Sequence, residues 1–200
     1  MVQRHLWQSA RLRRARDGSI TSFDAPPGFD ILGSPYVPGA PPPSINPAGA
    51  IVGDFSDAVS GYRGFLRSPD GTFSVIGPPG VETIPTGGIN PAGAIAGGFS
   101  DGVMLHGYLQ TPDDTFTTFD PPGSIYTSPT AINPAGAITG FYNDEDGGFY
   151  GFVRAQNGVI LTLDTPDSLT TLPLAINARG VITRMFIDSS GMASGFVRTS

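Results

Sequence analysis

Short runs of apolar residues along this chain alternate with polar residues at a period of two, not at the 3.6-residue spacing of an amphipathic helix. Residues 113–156 carry the pattern in strand-like stretches at residues 115–120, 130–132, 137–142 and 149–154. The tetrapeptide Asn133-Pro134-Ala135-Gly136 separates the second stretch from the third, because proline presets φ for a turn and glycine supplies a positive φ. The pattern predicts four short β-strands joined by tight turns.

This four-strand pattern recurs along the chain. The heptapeptide INPAGAI begins at Ile45, Ile89 and Ile132 and returns as INARGVI at Ile176, at spacings of 44, 43 and 44 residues. A glycine-aromatic pair keeps the same period, at Gly64-Phe65, Gly107-Tyr108, Gly151-Phe152 and Gly195-Phe196. Markers that share one period indicate tandem copies of one supersecondary unit, and four strands in about 40–45 residues is the size of a β-propeller blade.

The period divides residues 17–200 into four units, which cover residues 17–69, 70–112, 113–156 and 157–200. Residues 1–16 form an arginine-rich N-terminal leader or a partial strand. The fourth unit stops just short of its Asp-Gly turn, and that turn occurs near the N-terminus at Asp17-Gly18, as it would if the two ends shared a blade. We expect an all-β, β-propeller-like array of four units of about 44 residues, either a closed four-bladed propeller or a section of a longer array.

The strand after each turn predicts how the units pack. Ile95 is followed by Gly97 and Phe99, and the same order of isoleucine, glycine and aromatic residue starts at Ile138. These residues share one face of the strand, so the glycine leaves a notch that we expect to accept a ring from the neighbouring blade. In the last unit Arg184 takes the place of the glycine. We interpret Arg184 as a sign that the last blade faces solvent there; the alternative is a buried cation that needs a carboxylate.

The composition excludes several other classes of protein. Glycine and proline supply 28 and 20 of the 200 residues, which disfavours a helical bundle because both destabilise helix interiors. A hydrophobic content of 39% and a fixed period argue against disorder, and the absence of cysteine excludes disulfides and thiolate metal sites. The net charge of −6 argues against nucleic acid as a partner. No apolar stretch approaches the roughly 18 residues of a membrane span.

Acidic residues recur in the loops that follow these strands. Asp57, Asp101 and Asp188 occupy equivalent loops, so they would form a ring of acids along one rim of a propeller. The loop of the third unit also holds Asp144 and Asp146, whose oxygen atoms are of the kind that Ca²⁺ binds. The complete calcium-loop motif is missing, so we favour a solvated turn, with Asp144 and Asp146 as weak metal candidates and no firm metal site.

Histidine is rare in the chain, with His5 and His106 as its two copies. No acidic residue lies at a metal-binding spacing from His106, which favours a structural role for this strand residue. The Gly-x-Ser-x-Gly elbow of serine hydrolases is absent from the sequence. We therefore predict no catalytic residue and no cofactor. The candidate ligand-binding residues are Arg184, His106, Asp57, Asp101 and Asp188.

Two motifs carry a family resemblance. Residues Ala131–Gly140 follow the pattern Ala-Ile-Asn-x-x-Gly-x-Ile-x-Gly, and the tripeptide His106-Gly107-Tyr108 stands in the strand after the preceding copy. These motifs resemble the bacterial extracellular repeats of the HAF family, named after a His-Ala-Phe tripeptide, over about 180 residues. Here glycine replaces the alanine, and Arg63, Tyr150 and Ser194 stand where the other units would have histidine. The resemblance implies an exported, β-propeller-like protein and carries over no catalytic residue.

The sequence thus favours a non-enzymatic extracellular repeat domain, a binding or structural β-propeller that displays loops to a protein or a glycan at its rim. The alternative is a propeller-type hydrolase or lyase with an active site at the rim. Such an enzyme would need a non-repeated cluster of histidine, glutamate and aspartate. We expect a monomer or part of a longer repeat chain, with no nucleic-acid partner and no membrane span.

Overall fold

Every regular element of the described chain is a β-strand. The computed structural model describes residues 11–14, 20–23, 30–32, 43–57, 61–164 and 167–198. No helix occurs within these ranges, and so none that has the length and apolar character needed to cross a membrane. The prediction of an all-β protein is confirmed.

The strands form one hairpin and four antiparallel groups, which we call blades 1 to 4. The hairpin consists of β1 (Arg11–Arg14) and β2 (Ile20–Phe23). Blade 1 contains β3 (Asp30–Leu32), β4 (Ser44–Ile45), β5 (Ile51–Asp57), β6 (Gly61–Arg67) and β7 (Phe73–Ile76). Blade 2 contains β8 (Thr83–Ile89), β9 (Ile95–Ser100), β10 (Leu105–Gln110) and β11 (Phe116–Phe119). Blade 3 contains β12 (Ser124–Ile132), β13 (Ile138–Asp144), β14 (Phe149–Arg154) and β15 (Ile160–Leu163), and blade 4 contains β16 (Ser168–Ile176), β17 (Ile182–Asp188) and β18 (Ala193–Arg198).

Each blade is a meander in which consecutive strands pair antiparallel. In blade 1, β3 and β4 both pair with β5, so together they take the place of one strand, with the proline-rich insertion between them in the sequence. Blades 2, 3 and 4 are also linked edge to edge, because Leu105 of β10 pairs in parallel with Tyr126 of β12, and Phe149 of β14 with Thr170 of β16. Each blade begins one strand later than the predicted unit, because β11, the first strand of the unit at residues 113–156, pairs with β10 of blade 2.

The Asn-Pro-Ala-Gly turn does more than reverse the chain. Asn133 Oδ1 accepts the Ala137 N–H at 2.9 Å, while its Nδ2 donates to the carbonyl of Asn177, 44 residues further along, at 3.1 Å. Asn46 and Asn90 donate in the same way to the equivalent asparagine of the next blade, both at 3.4 Å. These bonds form an asparagine ladder that aligns the four blades at one end of the array.

The glycine notches are filled from within each blade, which corrects the expectation of a ring from the neighbouring blade. Tyr108 lies directly opposite Gly97 in the pairing of β10 with β9, and a Cβ atom on Gly97 would lie 2.6 Å from the tyrosine hydroxyl oxygen. Phe152 covers Gly140 from β14 in the same manner. The reason is the antiparallel register, which places the aromatic residue one strand away from the glycine and on the same face.

Apolar side chains of adjacent blades pack against one another and form the core between the blades. Phe119 of blade 2 meets Phe152 of blade 3 edge to face, with ring centroids 5.9 Å apart, and Ile138 and Tyr142 pack into the same cluster. The guanidinium of Arg154 lies 5.1 Å from the centroid of the Phe119 ring. One face of β13 and β14 therefore packs against the preceding blade, and the opposite face is left for the following blade.

Arg184 contradicts the interpretation that the last blade faces solvent at its notch position. Its side chain is only 8% exposed, because it lies on the face of β17 that corresponds to the Ile138 and Gly140 face of β13, which packs against the preceding blade. Burial lowers the pKa of Arg184, and the charge of Arg198 lowers it further, while the carboxylate of Asp164 at the end of β15 acts to raise it. The other alternative, a buried cation near a carboxylate, describes this residue.

Ring closure with four blades is not confirmed. β2 pairs with β1, with Arg14 opposite Ile20, just as β7 pairs with β6, with Arg67 opposite Phe73. Among the described strands β18 pairs with β17 alone, so the pairing of β18 with β2 that would close the ring is not present. Of the predicted N-terminal segment, residues 1–16, the structure describes only β1, and residues 1–10 and 15–16 lie outside the described part of the chain.

Candidate functional site

The loops that carry the predicted acids lie at the end of the array opposite the asparagine ladder. In a meander, successive connections alternate between the two ends of the strands. The links between the second and third strands of each blade therefore share one end with the links between consecutive blades. This end, which we call the rim, contains residues 77–82, 101–104, 120–123, 145–148 and 189–192.

His106 lies between two carboxylates at the rim of blade 2. Its Nδ1 is 2.7 Å from Asp120 Oδ2, and its Nε2 is 3.2 Å from Asp101 Oδ2. Phe99 flanks the imidazole, with ring centroids 5.1 Å apart. The sequence interpretation considered only metal-binding spacings and missed Asp120, which stands one step beyond the paired residues Gly107 and Phe119 of β10 and β11.

The charges around His106 favour its doubly protonated form. The hydrogen bond to Asp120 raises the pKa of His106, with a further contribution from Asp101, while burial acts in the opposite direction. The N–H groups of Met104 and Val103 and the imidazole lower the pKa of Asp101 to about 2. In the doubly protonated form both ring nitrogens are hydrogen-bond donors, and neither has a lone pair to bind a metal ion or to accept a proton.

A short relay of hydroxyl groups holds Asp120 in place. Thr127, fully buried in β12, donates its hydroxyl to Asp120 Oδ1 at 2.7 Å. Ser124 Oγ lies 3.3 Å from Thr127 Oγ1 and donates to the Pro121 carbonyl at 2.8 Å. This relay ties the rim of blade 2 to the first strand of blade 3.

A related set of hydroxyl contacts occurs one blade further along, where a serine and not the threonine donates to the aspartate. Ser168 donates to Asp164 at 3.4 Å, and its hydroxyl lies 3.1 Å from that of Thr171. The aspartate, serine and threonine recur at these two junctions, whereas Gly77 stands in place of the aspartate between blades 1 and 2. The residue opposite the aspartate position also varies, with Arg63, His106, Tyr150 and Ser194 at equivalent positions. Both the relay and the variable position therefore differ from one blade to the next.

A polar cleft opens at the rim between blades 1 and 2. It has a volume of about 520 Å³ and is lined by Arg63, Gly80, Val81, Glu82, Ser100, Asp101 and Gly102. Glu82 Oε1 accepts the backbone N–H of Tyr62 at 3.2 Å, which fixes one wall of the cleft. Asp101 belongs both to this cleft and to the His106 pair. Arg63 and Glu82 were not predicted, although Arg63 occupies the histidine position of the first unit.

The other predicted residues stand apart from this cleft. Asp188 Oδ1 accepts the N–H groups of Ser190 and Met192 at 2.9 and 3.0 Å and therefore caps its own turn. Asp144 caps the Gly148 N–H at 2.8 Å, and Asp146 is exposed. Asp57 ends β5, but its side chain lies outside the described part of the structure. Arg184 is buried between blades 3 and 4.

Of the five candidate ligand-binding residues, the structure brings together His106 and Asp101. Among the described residues no group of three histidine, cysteine, aspartate or glutamate side chains is arranged to hold a metal ion. In the loop at residues 143–147, Asp144 uses one of its oxygen atoms for the capping bond to the Gly148 N–H.

Comparison with known proteins identifies the fold and not the family. No family model and no curated protein matches the chain. A solved structure titled as that of a streptogramin B lyase, a propeller-like protein, is similar with a TM-score of 0.54 and 16% sequence identity. The match covers 94% of this chain and 61% of the lyase chain, so this chain spans less than two thirds of its length. The propeller-like fold is confirmed in this coarser sense.

Proposed function

We propose that this chain is a non-enzymatic binding domain whose rim cleft between blades 1 and 2 accepts a glycan. The observation that carries the proposal is the set of polar groups around one space of about 520 Å³, namely the side chains of Arg63, Glu82, Ser100 and Asp101. Glu82 is fixed by the Tyr62 N–H, and Asp101 by the Val103 and Met104 N–H groups and by His106. Groups fixed before binding lose little entropy when a ligand arrives.

A glycan suits this cleft better than a protein surface does. Its volume falls within the roughly 300–1,000 Å³ of small-ligand pockets. Sugar hydroxyls both donate and accept hydrogen bonds, so carboxylates, a guanidinium and a serine hydroxyl can each serve them. A stable protein partner would need about 800 Å² per side around an apolar or aromatic centre, and the residues that line the cleft are mostly polar or small.

The state of His106 supports a binding role over catalysis. A general base needs a free nitrogen within reach of the substrate, and both nitrogens of His106 lie beside carboxylates. The low pKa of Asp101, about 2, keeps this carboxylate ionised and unsuited to act as an acid. The alternative, a propeller-type hydrolase or lyase, draws on the likeness to the streptogramin B lyase. If the purified chain cleaves streptogramin B and His106→Gln abolishes the cleavage, the enzyme alternative is correct and the binding proposal is wrong.

A glycan array followed by titration calorimetry tests the proposal, with a pull-down run in parallel for protein partners. The Glu82→Gln variant keeps the bond to Tyr62 but removes the charge, and we expect it to weaken glycan binding about tenfold, which equals about 1.4 kcal/mol. Glu145→Gln is the matched control, because Glu145 is an exposed glutamate in the rim loop between β13 and β14, away from the cleft. Equal affinities for Glu82→Gln and the wild type, or a pull-down partner with no glycan binder, would refute the proposal.

We also propose that the four blades form an arc and not a closed four-bladed ring. The pairing of β2 with β1 supports this, as does the match to only 61% of the lyase chain. The extracellular location implied by the HAF resemblance is part of the proposal, because it would give the rim access to surface glycans. Detection of the protein in the culture medium or on intact cells tests that location, and its confinement to the cell interior would contradict it.

A further inference from the structure

The rim of blade 2 holds a pair of charges of which blade 1 has only one. His106 of β10 lies 2.7 Å from Asp120, the residue directly after β11. In blade 1 the residue at the position of His106 is Arg63 of β6, and the residue directly after β7 is Gly77. The pairing of β6 with β7 follows the same register as that of β10 with β11. Arg63 therefore stands opposite a glycine where His106 stands opposite an aspartate.

A buried threonine beside Gly77 also lacks the partner that its counterpart has. Thr127 in blade 3 donates its hydroxyl to Asp120 at 2.7 Å. The register of the first and second strands makes Thr83 its counterpart in blade 2. Thr83 is 1% exposed, and its hydroxyl has no hydrogen-bond partner among the described residues. A Cβ atom on Gly77 would overlap the Thr83 methyl group, so this backbone does not accept an aspartate there. The junction between blades 1 and 2 thus lacks the carboxylate that the next junction carries.

Arg63 is half-buried and lines the cleft of about 520 Å³ together with Glu82 and Asp101. Both of these carboxylates already have partners within the protein. Asp101 pairs with His106 at 3.2 Å, and Glu82 accepts a backbone N–H at 3.2 Å. No carboxylate of the described residues forms an ion pair with Arg63, and the side chain of Asp57, the blade 1 counterpart of Asp101, lies outside that description. The guanidinium is therefore the charge in the cleft that a ligand can match.

We propose that the cleft between blades 1 and 2 recognises acidic glycans, and that Arg63 binds the carboxylate of one sugar. The inference rests on the proposed glycan-binding function and specifies the class of sugar. The ligand then supplies to blade 1 the carboxylate that Asp120 supplies to blade 2. A guanidinium suits this role because it is always charged and its planar N–H groups can bind both oxygens of a carboxylate. Glu82 and Ser100 remain available to the sugar hydroxyls.

The residues of the other rims confine this site to one junction. The positions equivalent to Arg63 are occupied by His106, Tyr150 and Ser194. The histidine is paired with carboxylates of its own blade, and the other two side chains carry no positive charge. The residues directly after β11 and β15 are Asp120 and Asp164, whose negative charges would repel an acidic sugar. The rim of blade 1 combines a permanent cation with a glycine at that position.

A glycan array of uronic acid and sialic acid oligosaccharides, each printed beside its carboxyl-reduced form, tests the inference. Reduction replaces the carboxylate by a hydroxymethyl group, so the charge is removed and the rest of the sugar is kept. For the pair that binds best, titration calorimetry should give about tenfold tighter binding of the acidic form, as expected for a charge-assisted hydrogen bond. This preference should decrease as the salt concentration rises.

Substitutions at Arg63 assign the preference to one side chain. Arg63→Gln should make the acidic and the reduced form bind with equal affinity. Arg63→Lys should keep part of the preference, because lysine retains the charge and loses the planar fork. Arg179→Gln is the matched control, since Arg179 is exposed in the turn after β16, at the end of the array opposite the rim. This control changes the net charge by the same amount and should leave the preference intact.

Tighter binding of the acidic form that Arg63→Gln abolishes and Arg179→Gln preserves supports the inference. Circular dichroism confirms that each variant is folded, and the comparison of the two glycan forms on the wild-type chain remains decisive if Arg63→Gln unfolds. Equal affinities of the wild type for both forms overturn the inference and leave the glycan-binding function in place. A preference that persists in Arg63→Gln also overturns it, because another cation must then bind the carboxylate. Absence of binding to any glycan, acidic or reduced, refutes the proposed function and the inference with it.

Discussion

Replacement of Asn133 by alanine tests whether the asparagine ladder holds the blades together. The side chain is 3% exposed and makes two bonds, one that accepts the Ala137 N–H and one that donates to the Asn177 carbonyl of the next blade. Alanine leaves the Ala137 N–H without its acceptor in a partly buried turn, at about 1–3 kcal/mol, and removes a second bond with a net value of about 1 kcal/mol. We expect Asn133→Ala to lower the free energy of unfolding by about 2–4 kcal/mol.

The fourth blade supplies the control for this experiment. Asn177 stands at the same position of the same motif but is exposed, and its Oδ1 accepts the Arg179 and Val181 N–H groups, which water can replace. We expect Asn177→Ala to cost only about 1 kcal/mol. In a thermal melt, each kcal/mol of difference in stability should shift the midpoint temperature between the two variants by about 2–4 °C for a chain of this size. Equal losses in Asn133→Ala and Asn177→Ala, measured by urea unfolding, would refute the ladder.

Three further predictions follow from other contacts. Gly140→Ala should destabilise the fold by at least about 1–3 kcal/mol, because its Cβ would overlap the Ser128 carbonyl, whereas Gly195→Ala should be neutral in thermal melts; equal midpoints would contradict the packing. The pKa of His106 is raised in the folded protein, so the stabilising contribution of its charge is complete below the unfolded pKa of about 6.5 and is lost as the pH rises through the folded value. His106→Gln should remove this part of the pH dependence of the free energy of unfolding in urea. A pH profile that His106→Gln leaves unchanged would contradict this prediction. Arg154→Ala, which removes the cation over Phe119, should cost about 1–3 kcal/mol, against less than about 0.5 kcal/mol for the exposed Arg198→Ala; a smaller loss for Arg154→Ala would count against that contact.

The repeat could be predicted from the sequence because strand periodicity and turn chemistry are local properties. The alternation in residues 113–156 and the turn at Asn133 predict the strands β11 to β14 without knowledge of any distant contact. The grouping of strands into blades was not predicted, because β11 pairs with the strand before it and not with β12. The role of the asparagine amide was missed because its carbonyl partner lies 44 residues away. Nothing within a single unit indicates that the blades stack close enough for this bond.

The errors in the sequence interpretation have a common physical origin, which is the direction in which a strand residue points. Arg184 was placed on the correct face of its strand, but that face packs against blade 3 and not against solvent. Asp120 lies opposite His106 because the register of β10 and β11, in which Gly107 pairs with Phe119, continues by one residue. That register could have been derived from the hairpin turn at residues 111–115.

The most direct test of the rim cleft as the functional site is an NMR titration of the chain with a glycan selected on the array. The four equivalent rims act as internal controls for one another. We predict the largest amide shift changes at residues 61–63, 80–83 and 100–106, around Arg63, Glu82 and Asp101. Changes centred instead on residues 144–150 or 188–194, or spread evenly over the four blades, would contradict the assignment of function to the cleft between blades 1 and 2.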